Sequence, residues 1–127
     1  MRILTTLIAA ALAISCGGSS PTTTSPTGGT TPPAAATIVI SNNAVSPQTI
    51  TVTPGSRVTI INNDSRAHDM DSDPHPEHTD CPELNLIGFL SPGQSRESGN
   101  LNTVRKCGIH DHGSPGTAAL KATITIQ

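Results

Sequence analysis

The residues best able to do chemistry in this chain are its histidines and cysteines. Cys107-Gly108-Ile109-His110-Asp111-His112 puts one thiol and two imidazoles within six residues. The other histidines, His68, His75 and His78, form a second cluster upstream, and Cys81 lies between the two clusters. Soft sulfur beside imidazole is the donor composition of a copper or zinc site. A competing reading pairs Cys81 with Cys107 as a disulfide and leaves the histidines solvated. The residues alone keep both readings open.

The elements that must position these groups are suggested by composition. The 127 residues suffice for one domain and not for two. Phe89 is the sole aromatic residue, so a core must come from Val, Ile, Leu and Ala. Charged residues make up only 13%, while Thr, Ser, Pro and Gly are abundant, which favours an all-β domain with polar turns. The net charge is -2 and no basic patch exists, which argues against nucleic-acid binding.

The N-terminus reads as a targeting segment. Arg2 is followed by the apolar run Ile3 to Ile14, which is shorter than the roughly 20 residues a spanning helix needs. Ala13-Ile14-Ser15-Cys16 resembles the lipobox of a bacterial lipoprotein signal, with Leu12 one residue earlier than the lipobox pattern places it. The resemblance implies that residues 1–15 are removed, that Cys16 is lipidated, and that the mature protein is exported and anchored to a membrane of the cell envelope. Residues 16–36 are rich in Gly, Ser, Thr and Pro and carry no charge, so they are expected to be a disordered tether. Export would also place Cys81 and Cys107 in a disulfide-permissive compartment.

Residues 37–127 read as the folded domain. Thr37 to Ser41, Thr49 to Thr53 and Arg57 to Asn62 alternate as strands do, with Pro54-Gly55 marking a turn. Leu86 to Leu90, Gln94 to Leu101, Thr103 to Cys107 and Ala119 to Ile126 are further strand candidates. Short strands separated by Gly, Pro and Asn turns indicate a β-sandwich.

Ser46-Pro47-Gln48-Thr49-Ile50-Thr51-Val52, Pro54-Gly55-Ser56-Arg57-Val58-Thr59 and Asn62-Asn63-Asp64 with His68 resemble the first half of a plastocyanin-like cupredoxin. Ser91-Pro92-Gly93-Gln94, followed by Cys107 and His110, resembles its second half, while the five-residue spacing to His112 is azurin-like. The resemblance implies a Greek-key β-sandwich of about seven to eight strands. It also implies mononuclear copper held by His68, Cys107 and His110, with His112 as an additional or alternative ligand. The expected role is one-electron transfer with a redox protein partner, by a monomer that is not an enzyme. No methionine follows His112, and Met70 lies in the wrong segment, so the axial place is either empty or taken by His112. The loop Asp69 to Pro82 is acidic and stiffened by proline, and His75 and His78 within it are candidates for a second metal site.

Other classes fit less well. His110-Asp111-His112 has the His-x-His form of copper-zinc superoxide dismutases, but it follows the metal loop here instead of preceding it. His75-Pro76-Glu77 echoes zinc deaminases without their Pro-Cys-x-x-Cys. There is no His-Glu-x-x-His, P-loop or Gly-x-Ser-x-Gly. Three readings survive: an electron carrier, a copper-binding or copper-delivery lipoprotein, and a metal-free sandwich stapled by Cys81 and Cys107.

Overall fold

The structure, a computed structural model, describes residues 36–127. The signal segment, Cys16 and the tether up to residue 35 lie outside the described residues, while Ala36 already belongs to the first strand. The described residues form nine strands: β1 (Ala36–Ser41), β2 (Ala44–Ser46), β3 (Thr49–Val52), β4 (Val58–Asn62), β5 (His68–Ser72), β6 (Gly88–Leu90), β7 (Ser95–Glu97), β8 (Arg105–Asp111) and β9 (Lys121–Ile126). Two short 3-10 turns, Pro82–Leu86 and Ala118–Leu120, are the only helical pieces among them.

The strands build a β-sandwich. One sheet has the order β2-β1-β4-β7 and the other β3-β9-β8-β5-β6. β1 pairs parallel with β4, and β3 parallel with β9, while the other pairings are antiparallel. Asn42 and Asn43 both take positive φ between β1 and β2, as a two-residue hairpin with a primed turn demands. The two inner faces meet through Ile38, Ile40, Val58 and Ile60 on one side and Met70, Ile109, Ala122, Ile124 and Ile126 on the other. Aliphatic side chains thus fill the core, as the shortage of aromatics requires.

Two features differ from the sequence reading. His68–Ser72 is a strand and not part of a loop. Its charged residues hid the alternation: His68, Met70 and Ser72 are buried, whereas Asp69 and Asp71 face outward. β8 also does not stop at Cys107 but continues to Asp111. On β8, Cys107, Ile109 and Asp111 share the inner face, which leaves Gly108 and His110 on the outer face. The ladder agrees, since it sets Met70 opposite Asp111 on the inner face and Asp71 opposite His110 on the outer one.

Cys81 and Cys107 form a disulfide with a Cα separation of 5.8 Å, and both residues are fully buried. Asp73 N–H donates to the Gly108 carbonyl at 3.0 Å, so the chain leaving β5 stays beside β8 for one more pair and then returns through Cys81 to the interior. The segment from Pro74 to Asp80 contributes no buried residue of its own. It is tied at its two ends, by β5 and by the disulfide.

Candidate metal centre

Four imidazoles converge over the outer face of the five-stranded sheet. His75 and His78 come from the loop after β5, His110 from β8, and His112 from the residue just beyond β8. One ring nitrogen from each can be chosen so that all four lie within 4.8 Å of one another. The ring centroids of His78 and His110 are 5.2 Å apart and stacked, and those of His75 and His112 are 4.8 Å apart.

Each ring is held differently. His110 is 1% exposed, and its Nδ1–H donates to Asp73 Oδ1 at 2.6 Å. Its Nε2 is buried and has no hydrogen-bond partner. Leaving such a group unpaired costs about 1–3 kcal/mol, a cost recovered if an ion takes the lone pair. His78 Nδ1–H donates to the Ser72 carbonyl at 2.8 Å, which leaves the lone pair on Nε2, where it accepts from His112 Nδ1–H. His78 takes a φ of 54°, a left-handed conformation that costs a residue with a Cβ on the order of 1 kcal/mol. Asn85 steadies that turn: its amide donates to the His78 carbonyl at 2.9 Å, and its Oδ1 accepts from Ser72 N–H at 2.9 Å. His112 Nδ1 lies 3.0 Å from His78 Nε2 and 3.8 Å from Asp71 Oδ2.

The electrostatics favour a neutral His75 ring and an approaching cation. His75 is held below the ordinary imidazole value, first by desolvation among the other rings and then by repulsion from His112, His110 and His78, against a smaller pull from Glu77. A neutral ring is the form that ligates. Asp69, Asp71, Asp73, Glu77 and Asp80 supply negative charge along the same segment of chain.

The donor set suits an ion that accepts imidazole. Metal-nitrogen bonds of about 2.0–2.1 Å place tetrahedral ligand atoms roughly 3.4 Å apart. The four nitrogens lie within 4.8 Å of one another, and one of them is buried without a hydrogen-bond partner. No sulfur belongs to the cluster, because Cys107 is bonded to Cys81 and Met70 is buried on the opposite face of the sheet.

The ligand set expected from the resemblance, His68, Cys107, His110 and His112, is not brought together. A spacing of three along a continuous strand turns Cys107 and His110 to opposite faces. The β5–β8 register sets His68 opposite position 113, six residues from Cys107 and hence about 20 Å along the strand. The cysteine expected at the end of a late strand is replaced there by Asp111. Its Oδ2 lies 2.7 Å from His68 Nδ1, and Asp64 Oδ2 lies 3.3 Å from His68 Nε2. Arg66 stands 3.5 Å from Asp111. His68 is therefore satisfied by carboxylates inside the sandwich. His75 and His78, candidates for a second metal site, join His110 and His112 in a single cluster. The available signal was the pairing of two short motifs, His75-x-x-His78 and His110-x-His112, each of which offers two imidazoles at a loop.

Neither a protein-family model nor a curated protein sequence matches the chain. Among solved structures, the domain is similar to a purple cupredoxin from Nitrosopumilus maritimus, with 19% identity and a TM-score of 0.56 over 72% of this chain and 99% of that one. It is similar to the oxidised plastocyanin of Dryopteris crassirhizoma, with 21% identity and a TM-score of 0.56 over 72% of this chain and 100% of that one. A mutant of amicyanin in its Cu(I) form matches with 16% identity and a TM-score of 0.57, over 73% of this chain and 82% of that one. At these identities the likeness establishes the fold, which is cupredoxin-like.

Proposed function

We propose that this cupredoxin-like domain binds one divalent copper ion on His75, His78, His110 and His112, and that the protein serves as a copper-binding or copper-delivery protein of the cell envelope. The observation that carries the reading is the buried, unpartnered Nε2 of His110 beside three further imidazoles. Four imidazole nitrogens and no sulfur suit a borderline divalent ion. Among such ions, imidazole sites favour copper over zinc. Carboxylates on the ligand-bearing loop favour the approach of a cation.

Copper at such a site would supply a one-electron couple. The protein's own part is to hold four rings, two of them oriented by hydrogen bonds from Nδ1 to Asp73 and to the Ser72 carbonyl. Because thiolate and thioether are the ligands that favour copper(I), an all-imidazole set holds the reduced ion less well. That favours binding and delivery over electron carriage. The second reading, a one-electron carrier with a protein partner, is favoured by the likeness of fold to plastocyanin and amicyanin. The two separate on reduction: a delivery protein surrenders copper to a chelator once a reductant is added, whereas a carrier cycles with its metal retained.

Export and anchoring belong to the same proposal and rest on the lipobox-like Ala13-Ile14-Ser15-Cys16. No helix among the described residues is long and apolar enough to cross a membrane. Expressed in a bacterium, the protein should partition with membranes, and Cys16→Ser should release it or block its maturation. Unchanged partitioning of that variant would contradict the anchor.

A further inference from the structure

The Asp73 carboxylate reaches His110 by passing over the backbone of β8 at Gly108. A Cβ on residue 108 would overlap Asp73 Oδ2 and stand 2.6 Å from its Cγ and 3.0 Å from its Cβ. These atoms belong to a short side chain whose backbone is pinned to the same place, since Asp73 N–H donates to the Gly108 carbonyl at 3.0 Å. Asp73 therefore has little room to yield. Gly108 does not take a left-handed φ, so the lack of a side chain is not explained by backbone conformation. The glycine is explained by the carboxylate above it.

That carboxylate decides where the single proton of a neutral His110 ring resides. A carboxylate accepts only, so at 2.6 Å the proton sits on Nδ1 and the lone pair on Nε2. Nε2 is the buried atom with no partner. In the other tautomer, Nε2–H would point a hydrogen at the cluster and could not ligate. We infer that Asp73 and Gly108 are positioning residues for the metal centre: the bare backbone at Gly108 admits the Asp73 carboxylate, which holds His110 in the tautomer that presents Nε2. The inference rests on the reading of the four imidazoles as a metal site. Removing a carboxylate behind a ligating histidine typically lowers metal affinity 10- to 100-fold.

The test has two readouts on the full-length protein. The ring nitrogen-15 shifts of His110 in the metal-free protein report the tautomer. Competition with a chromophoric chelator reports zinc(II) affinity without redox complications. The wild type should show a protonated Nδ1 and a bare Nε2. Gly108→Ala and Asp73→Ala should shift the ring toward Nε2–H and weaken zinc binding 10- to 100-fold. Asp73→Asn retains a carbonyl acceptor and should keep the tautomer and most of the affinity. The double variant Gly108→Ala/Asp73→Ala should bind within about twofold of Asp73→Ala alone, because the alanine at 108 acts through the carboxylate. Should Gly108→Ala fail to fold, Asp73→Ala and Asp73→Asn carry the test, since they remove or exchange atoms of a half-exposed loop residue. A wild type that binds zinc with His110 in the Nε2–H form overturns the positioning role alone. So does a folded Asp73→Ala with unchanged tautomer and affinity. A wild type with the expected tautomer and no zinc or copper affinity overturns the metal-site reading, and the positioning role with it.

Discussion

Cys107 and His110 face opposite sides of one sheet, although only two residues separate them. β8 runs unbroken from Arg105 to Asp111, so Cys107 points into the sandwich, where it meets Cys81, and His110 points out toward the histidine loop. This parity separates the structural cysteine from the chemical histidine. It moves the candidate metal centre out of the sandwich interior and onto the outer surface of the sheet.

The disulfide should act on stability. It closes a sequence separation of 26 residues and anchors the chain just beyond the exposed histidine loop. Chain-entropy arguments give about 3–4 kcal/mol for a loop of this size. Denaturant unfolding of Cys81→Ser/Cys107→Ser against the oxidised wild type should show a loss of that order. Equal midpoints would mean that the crosslink contributes nothing.

His68 should matter for folding and not for metal. Its ring is buried between Asp111 and Asp64, and removing it takes a partner at 2.7 Å from the Asp111 carboxylate, which keeps Arg66 at 3.5 Å and the Gly113 N–H at 2.9 Å. Losing one partner of a buried group that keeps others costs about 1–3 kcal/mol. His68→Ala should lower stability by that amount yet bind zinc within about twofold of the wild type. A tenfold loss of affinity in a folded His68→Ala protein would place His68 in the site after all.

His78 couples backbone strain to ligation. Glycine tolerates its φ of 54° without penalty. His78→Gly should therefore be more stable than His78→Ala by about 1 kcal/mol in denaturant unfolding, while both lose at least tenfold in metal affinity. If alanine and glycine are equally stable, the turn is not held by the folded domain.

Asp64 should shape the acid limb of stability. Its carboxyl is held below 3.8, first by hydrogen bonds from the backbone N–H of Asn43 and Ser65, against an opposing effect of desolvation, with a lesser contribution from His68. A depressed carboxylate contributes stability above its unfolded value, and that contribution fades as the pH falls through the lower folded value. Asp64→Asn should flatten the decline of stability below about pH 4. An unchanged acid limb would assign the decline to other carboxylates.

Much of the fold was legible because aliphatic alternation marks β1, β3, β4 and β9 directly. The order of motifs from Ser46 to His110 also pointed to the cupredoxin-like architecture that the structure shows. β5 was not legible as a strand, because Asp69 and Asp71 lie on an outer face where charge is tolerated. The candidate site residues were visible as residue types, but the structure groups them differently from the expected set. Ligand spacing transfers between proteins only if the strand ends at the same residue, and β8 runs four residues past Cys107. That extension swaps the face on which His110 lies, and Asp111 fills the strand end where a sulfur was expected. Gly108 gave no signal at all in the sequence, since its role depends on a carboxylate that crosses it from another part of the chain.

The central claim is an all-imidazole copper site beside a closed disulfide, and thiol titration followed by copper(II) addition tests it most directly. The purified protein with Cys16 replaced by Ser should show no free thiol before reduction. It should bind one equivalent of copper(II) with only weak visible absorption, and lose that binding in His75→Ala, His78→Ala, His110→Ala or His112→Ala while Cys107→Ser leaves the visible spectrum unchanged. Two free thiols, together with an intense thiolate-to-copper band that vanishes in Cys107→Ser and persists in Cys81→Ser, would contradict the account and return Cys107 to the metal.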